Sequence, residues 1–417
     1  MGIVKKYNST SLILRIICGL VIGVLLGLAF KDLRFVSLIG DVFVGALKAI
    51  APVLVFALVV SSLAQGNNKL DGRFGLVIAL YLISTLLASL FAVTASFLFP
   101  QTIILAEAAP AETVPLGVGE VLGNLVSGMV SNPIKAVAEA NYISILFWAV
   151  IFGMGAKKLA NDSTKQMMAD FAEIIQTTVR GIINLAPFGI MGLVYTNVAT
   201  NGVAIFRDYG TLLILLVGCM LAVALIIDPL ISAIVLRRNP YPLVFRCLKE
   251  SGLTAFFTRS SAANIPVNME LCKKLGLDKD LYAVSIPLGA TINMDGAAIT
   301  IAVMALAAAN TVGIKVSFLT AIILAFIATL AACGASGVAG GSLLLIPMAC
   351  SLFGVDQNVA MQVVAVGFII GVVQDSVETA LNSSGDVMFA ATAEYAKWKK
   401  DGKPLPKFLG GTKETDI

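Results

Sequence analysis

Acidic and polar side chains that could bind a cation or an amino group are concentrated in one apolar segment near the C-terminus. Within residues 371–391 these side chains are Asp375, Glu378, Thr379, Asn382, Ser383, Ser384 and Asp386. Steps of three and four residues lead from Asp375 to Asp386, so these positions share one face of a helix, with Glu378 beside it. Because a charge at the centre of a bilayer costs several kcal/mol, three acids in one span require cationic partners, protonation or water.

A second polar group interrupts the apolar segment 281–309. Asn293 and Asp295 supply oxygen ligands, and Gly296 weakens the helix beside them. A helix break with free carbonyls and a carboxylate suits a dehydrated hard cation. The same residues could instead form a kinked helix in which Asp295 is hydrogen-bonded to a neighbour. The C-terminal span could likewise be an amphipathic helix that faces an aqueous pore.

Positive charge is scarce inside the apolar segments. Arg259 is one partner for the acids, but a single arginine cannot balance four carboxylates, so bound cations or a substrate ammonium are expected to complete the site. Asp228, which precedes Pro229 in another apolar segment, is expected to be a polar cap at a helix kink.

Composition decides the class of protein that must position these groups. The chain has 417 residues, of which 58% are hydrophobic and 13% charged, against about 25% charged residues in soluble domains. Histidine is absent, which excludes histidine metal sites and Ser-His or Cys-His nucleophiles. The six cysteines are scattered without a CxxC pair, and a net charge of +4 gives no support for nucleic-acid binding. The sequence therefore predicts an integral protein of the lipid bilayer that is not an enzyme.

The predicted fold is an all-α polytopic membrane protein with eight transmembrane helices. A helix needs about 20 apolar residues to cross the bilayer, and the candidate spans are 11–30, 39–64, 74–100, 141–157, 168–198, 211–236, 281–309 and 359–392. Two further apolar stretches, 251–270 and 316–352, are interrupted by polar or small residues. Short arms around such a break predict re-entrant hairpins at a transport site, although close helix packing through small residues would also explain them.

Lysine and arginine positions predict the orientation in the membrane. With the N-terminus inside, the inner loops hold 20 of these residues and the outer loops five, so the positive-inside rule places both termini in the cytoplasm. This holds if the segments 242–275 and 316–355 each enter and leave on one face. The polar tail after Trp398 is expected to be unstructured.

Four motifs in fixed order resemble the dicarboxylate/amino acid:cation symporter family. They are Thr258-Arg-Ser-Ser with Pro266, Asn293-Met-Asp-Gly296, Gly334-Ala-Ser-Gly-Val-Ala-Gly-Gly341, and the Asp375–Asp386 helix. The resemblance covers about 251–391 by motif, and the N-terminal half only by its pattern of spans. It implies two opposed re-entrant hairpins, an elevator-type mechanism and a homotrimer. Residues 1–240 would contain the trimerisation scaffold, 241–395 the transport core and 396–417 a cytoplasmic tail.

The resemblance also implies roles for individual residues. Asp375 would bind the substrate ammonium, and Thr379 and Asn382 its carboxylate or hydroxyl. The implied substrate-binding set is Arg259, Ser260, Ser261, Ala335, Gly337, Val338, Asp375, Glu378, Thr379 and Asn382. The implied set for Na⁺, the co-transported ion, is Ser84, Thr85, Gly289, Asn293, Asp295, Asn382 and Asp386.

Glu378 departs from the family members that take acidic substrates, which have an arginine there that pairs with the substrate's side chain. An anion at this position would repel aspartate or glutamate, so small neutral amino acids such as L-serine and L-threonine are favoured. Arg259 would neutralise Glu378 or Asp375. The resulting expectation is sodium-coupled import across the bacterial inner membrane.

Several other functions remain open from the sequence. Coupling to protons, other amino acids or dicarboxylates as substrates, and a passive channel are all compatible with the residues. A hydrolase dyad of Asp295 and Asp375 is disfavoured because the Gly-x-Gly-Asp context is missing.

Overall fold

The structure of the chain is a computed structural model that describes residues 12–65, 72–105, 130–139, 141–202, 205–333, 335 and 340–412. Within these ranges every regular element is a helix. Aliphatic side chains point outwards over much of this surface. On one span Ile214, Ile226 and Ile234 are between 61% and 73% exposed. Such surfaces suit lipid rather than water, and the predicted all-α membrane fold is confirmed.

The first half of the chain contains seven helices. They are α1 (Leu12–Ala29), α2 (Arg34–Ala64), α3 (Gly72–Leu98), α4 (Pro133–Ala138), α5 (Tyr142–Leu159), α6 (Asp162–Ile183) and α7 (Ala186–Asn201). The sequence predicts one span over 168–198, but the structure has two helices there, α6 and α7, which meet at an angle of 53°. Pro187, in the first turn of α7, explains the break, because proline lacks an N–H and clashes with the preceding turn.

The predicted span 211–236 consists of three helical pieces in continuous sequence. These are α8 (Ile205–Ala222), the π-helix Val223–Ile227 and α9 (Asp228–Leu236). Pro229 lies in the first turn of α9, so the wider π turn accommodates its missing backbone donor.

Two helices that reverse direction occupy the first interrupted segment. They follow α10 (Tyr241–Cys247) and the π-helix Leu248–Gly252, and are α11 (Leu253–Thr258) and α12 (Ser261–Lys274). Arg259 ends α11 in a left-handed conformation with φ of 51°. Ser260 then caps α12 by accepting a hydrogen bond from the Ala263 amide at 3.2 Å. Because α11 and α12 also pack together, the segment is a helical hairpin.

The last part of the chain carries the second helix break and the longest helix. It contains α13 (Lys279–Ile292), α14 (Asp295–Thr311), α15 (Phe318–Ala332), the 3-10 helix Ser342–Leu345, α16 (Ile346–Ser351) and α17 (Gln357–Lys400). The break between α13 and α14 falls at Asn293 and Met294, as the sequence predicts. Residues 334 and 336–339, at the tip between α15 and the 3-10 helix, lie outside the described residues.

The described residues include five helical stretches that are long and apolar enough to cross a membrane, or six if α6 and α7 form one bent span. These are Arg34–Ser61, Gly72–Leu98, Phe206–Leu236, Lys279–Thr311 and Gln357–Lys400. The helices α1 and α15 are shorter apolar helices by the same measure. The chain is therefore a multi-pass membrane protein, and the count of eight spans stays a prediction.

Packing divides the helices into two groups. In the first, α1 packs on α7, and α2 packs on α5, α6 and α7. In the second, α3 packs on α14, α15 and α17, and the sixth predicted span, α8 with α9, packs on α17. The third and sixth predicted spans thus pack with the C-terminal part, although both precede residue 240.

The tail forms part of the fold, so the expectation of an unstructured tail is wrong as far as residue 412. The helix α17 continues to Lys400, and beyond it Leu405 and Leu409 are buried. The Arg246 guanidinium lies 4.4 Å from the centroid of the Phe408 ring. Apolar side chains at 405, 408 and 409 explain the docking. Their burial offsets the loss of conformational entropy when the tail is ordered, which its polar residues alone would not offset.

Candidate functional site

The acidic face of α17 lies in the interior of the second group of helices. Of the five candidate spans, Lys279–Thr311 and Gln357–Lys400 are the most buried. In their most apolar stretches 94% and 83% of the residues are buried. Asp375, Glu378 and Asp386 are each at most 5% exposed. The predicted stripe therefore faces the protein interior and not bulk water or lipid, which makes the balance of its charges decisive.

Asp375 is held between the two interrupted segments. Its Oδ2 accepts a hydrogen bond from Arg259 Nε at 2.6 Å, and its Oδ1 accepts one from the Gly340 amide at 3.1 Å. Arg259 is the one buried cationic side chain among the described residues. Its left-handed backbone at the hairpin reversal directs the guanidinium to α17. Of the two partners expected for Arg259, the structure selects Asp375.

Glu378 is held by neutral hydrogen-bond donors. Its Oε2 lies 2.7 Å from the Thr300 hydroxyl, 2.9 Å from the Ser342 hydroxyl and 2.5 Å from the Gln374 amide nitrogen. These donors come from α14, the 3-10 helix and the preceding turn of α17. Within the described part of the chain no cationic side chain forms an ion pair with Glu378. Among the described residues the carboxyl of Glu378 is therefore stabilised by neutral hydrogen bonds and not by an ion pair.

Asn293, Asn382 and Asp386 meet at the break between α13 and α14. The side-chain nitrogen of Asn293 donates to the backbone carbonyl of Asn382 at 3.1 Å and to Asp386 Oδ1 at 3.0 Å. The side-chain oxygen of Asn382 accepts from the Gly296 amide at 2.8 Å. Among the described residues, Asn293 Oδ1 and Asp386 Oδ2 are buried and accept no hydrogen bond. Two unpaired oxygens beside a helix break are a donor set that fits a hard cation.

Gly289 permits the close approach of α13 and α17. A Cβ at this position would lie 2.7 Å from Asp386 Oδ1 and 2.9 Å from the Tyr81 hydroxyl oxygen. The carbonyl of Gly289 accepts from the Asn293 amide at 2.9 Å, which closes the last turn of α13. The structure thus gives Gly289 a steric role next to the carboxylate of Asp386.

Asp295 is bound by two hydroxyls of α3. Ser84 Oγ donates to its Oδ2, and Thr85 Oγ1 donates to its Oδ1 at 2.6 Å. All three residues are fully buried. The contact between a break in one span and consecutive hydroxyls in another is the one that the resemblance implies.

Three more residues of the predicted substrate-binding set are buried. Thr379 donates its hydroxyl to the Asp375 carbonyl at 2.7 Å, Ser261 is buried at the start of α12, and Ala335 is buried beyond the end of α15. Gly337 and Val338 lie outside the described residues.

A polar cluster that the sequence analysis missed fixes the first hairpin to α17. The Asn264 amide nitrogen donates to Ser383 Oγ at 2.7 Å and to Ser251 Oγ at 3.1 Å. The Asn268 amide nitrogen donates to the Ser383 carbonyl at 3.1 Å. The spacing of four residues between Asn264 and Asn268 was a sequence signal, since it places both amides on one face of α12.

Known proteins extend the comparison over the whole chain. The profile of the sodium:dicarboxylate symporter family matches residues 12–396. A serine/threonine transporter of Bifidobacterium adolescentis is 62% identical over 413 residues, which cover 99% of this chain and 96% of that protein. Serine/threonine transporters of Streptococcus agalactiae and Streptococcus thermophilus are 57% and 55% identical over 95% of this chain and 98% and 99% of their own lengths. The chain belongs to the sodium:dicarboxylate symporter family.

Proposed function

We propose that this protein is a secondary active transporter that imports L-serine and L-threonine together with Na⁺. The observation that carries the sodium coupling is the pair of buried, unpaired oxygens on Asn293 and Asp386 at a helix break. Burying an uncompensated carboxylate is strongly unfavourable, and a co-transported cation removes that penalty. The names of the relatives at 55–62% identity support the amino acids as substrates.

Asp375 is the proposed ligand of the substrate ammonium. Its carboxylate accepts hydrogen bonds from Arg259 of the first hairpin and from the amide of Gly340, so both segments contact α17 at this residue. An ammonium group can join or replace Arg259 at this carboxylate, because both are hydrogen-bond donors with one positive charge. Thr379 and Asn382 lie one and two turns further along α17 and are proposed to bind the substrate carboxylate or hydroxyl.

Glu378 is proposed to set the preference for neutral side chains. It is buried and has no cationic partner among the described residues, so the carboxylate of an aspartate or glutamate substrate would be repelled at close range. A hydroxyl of serine or threonine can donate to such an acceptor, and a site that hydrogen-bonds a hydroxyl discriminates strongly against analogues that lack it.

The proposed mechanism is an elevator movement of the transport core in a homotrimer of the bacterial inner membrane, with both termini in the cytoplasm. The core comprises 241–395 and, because they pack on it, α3 and the span formed by α8 and α9. The helices α1, α2, α5, α6 and α7 would then provide the scaffold. The bound pair of amino acid and Na⁺ neutralises the buried acids, which lowers the cost of moving them through the membrane.

Uptake into proteoliposomes tests this function. With an inward sodium gradient, labelled serine accumulates, unlabelled threonine competes with it, and excess aspartate does not. Replacing sodium by choline at fixed pH abolishes the accumulation. Uptake that survives the replacement would indicate proton coupling, strong competition by aspartate would overturn the assigned substrate, and flux without exchange of unlabelled for labelled serine would indicate a channel.

A further inference from the structure

Asp228 is a buried carboxylate that the proposed function does not use. It is the first residue of α9, within the span Phe206–Leu236, and is 2% exposed. The sequence suggests a polar cap for a helix kink, but the structure shows no such use. Among the described residues the Asp228 Oδ1 atom has no hydrogen-bond partner.

The neighbours of Asp228 are the groups of the Asp295 site. The helix α9 and the π-helix before it pack on α3, and the carboxyl of Asp228 lies beside Ser84 of α3 and beside Asp295. Ser84 and Thr85 already donate their hydroxyl hydrogens to the two oxygens of Asp295. Asp228 Oδ1 therefore remains an acceptor without a donor, next to a second carboxylate.

Two carboxylates in contact inside a membrane need a positive charge between or beside them. In the described part of the chain Arg259 is the one buried cation, and it is engaged with Asp375. Neither Asp228 nor Asp295 forms an ion pair with a lysine or arginine there. Both carboxylates and both hydroxyls offer oxygen atoms, which are the ligands that hard cations select.

We propose that Asp228 is a direct ligand of the Na⁺ bound at Asp295, so that this ion lies between carboxylates from two different spans. The inference deepens the proposed function, since it rests on sodium as the coupled ion. The unpaired Oδ1 of Asp228 favours a metal cation over a proton shared with Asp295. A shared proton would bridge one oxygen of each carboxyl, and Oδ1 of Asp228 would still have no partner. Sodium then links α9 to α3 and α14.

Sodium-dependent thermal stability of the full-length protein in detergent tests this ligand. Asp228→Asn keeps the size of the side chain and removes its charge, and Asp208→Asn is the matched control at the start of the same span. With NaCl exchanged for choline chloride at constant ionic strength, the sodium concentration for half-maximal stabilisation rises at least tenfold in Asp228→Asn and stays unchanged in Asp208→Asn. An unchanged titration in Asp228→Asn overturns the proposal.

Two further variants separate the remaining explanations. If both residues bind one ion, adding Asp228→Asn to Asp295→Asn causes little additional loss, because residues that act on the same ion are not additive; fully additive losses overturn the proposal. Loss of the pH dependence of melting in Asp228→Asn, with an unchanged sodium titration, assigns a proton to the pair and also overturns it.

Asp228→Glu keeps the test available if Asp228→Asn does not fold. A carboxylate on a longer side chain shifts the half-maximal sodium concentration several-fold and changes the ratio of sodium to lithium affinities, whereas an unaltered titration and ratio contradict the inference. The melting temperature is measured without serine or any other amino acid substrate. A protein stabilised by sodium that fails to transport serine would therefore refute the proposed substrate and leave this ligand in place.

Discussion

At the scale of single residues, the site is defined by how each buried carboxylate is compensated. Asp375 has an arginine at 2.6 Å, Glu378 has three neutral donors, and Asp386 has one amide and one unpaired oxygen. These differences support the different roles proposed for the three acids, since the least compensated carboxylate gains the most from a bound cation.

Asp386→Asn should weaken sodium dependence more than substrate binding. It removes the charge next to the unpaired oxygen of Asn293, so the sodium concentration for half-maximal serine uptake should rise at least tenfold, which corresponds to about 1.4 kcal/mol. The serine KM at saturating sodium should change much less. Asp401→Asn, an exposed aspartate that pairs with Lys397, is the control. An unchanged sodium dependence would remove Asp386 from the cation site.

Asp375→Asn should abolish serine uptake while the protein remains inserted and folded. The amide cannot pair with a substrate ammonium, although it keeps the shape that fits between Arg259 and Gly340. Exchange of labelled for unlabelled serine in proteoliposomes measures the loss, and size-exclusion chromatography in detergent checks the fold. Normal exchange in this variant would refute the assignment of the ammonium ligand.

At the scale of the elements, interrupted helices bring polar groups to the site that a continuous helix could not present. The reversal at Arg259 turns a guanidinium towards α17, and the break at Asn293 frees an amide side chain to contact Asp386. The first hairpin is attached to α17 through Asn264, whose amide bonds to Ser383 and Ser251. The position of the hairpin therefore depends on the buried hydrogen bonds of Asn264.

Asn264→Ala should loosen the first hairpin. The variant removes the donor to Ser383 and Ser251, and unsatisfied buried groups cost about 1–3 kcal/mol. We expect a lower melting temperature and faster hydrogen exchange in α11 and α12. Asn239→Ala, whose side chain accepts a hydrogen bond at the exposed start of α10, serves as the comparison. Equal exchange in the two variants would contradict the attachment.

At the scale of the whole molecule, contacts between distant segments connect the C-terminal end of α17 to the rest of the second group. Arg73, at the start of α3, pairs with Glu394 at 3.0 Å and with Asp278 at 2.9 Å. The Trp398 indole donates to Glu394 at 2.7 Å. Together with the docked tail, these contacts support the placement of α3 and α17 in one moving unit of the proposed elevator mechanism.

Leu409→Ala should release the tail without preventing insertion. The side chain is 4% exposed, and removing a buried leucine costs about 2–5 kcal/mol. A segment with so few contacts then opens locally, so trypsin should cleave after Lys407 several times faster than in the wild-type protein. Asp401→Ala, at an exposed position before the docked residues, should leave cleavage unchanged. Equal rates for Leu409→Ala and the wild type would show that this side chain does not hold the tail.

Sequence alone determined the membrane class, the acidic face of α17, the break at Asn293 and the motif that identifies the family. These features depend on composition and on spacing along one helix, which are local properties. The bend between α6 and α7 has a local signal as well, in Pro187, but its angle depends on the helices that pack around it.

Only the tertiary structure decided which groups compensate one another. The partners Arg259 and Asp375 are 116 residues apart, and Thr85 and Asp295 are 210 apart. The docking of the tail is a further case, because its few apolar residues pack on a surface that α10 and α17 form together. Spacing along a chain does not encode such pairings, since they arise when separate helices bury their polar faces against each other.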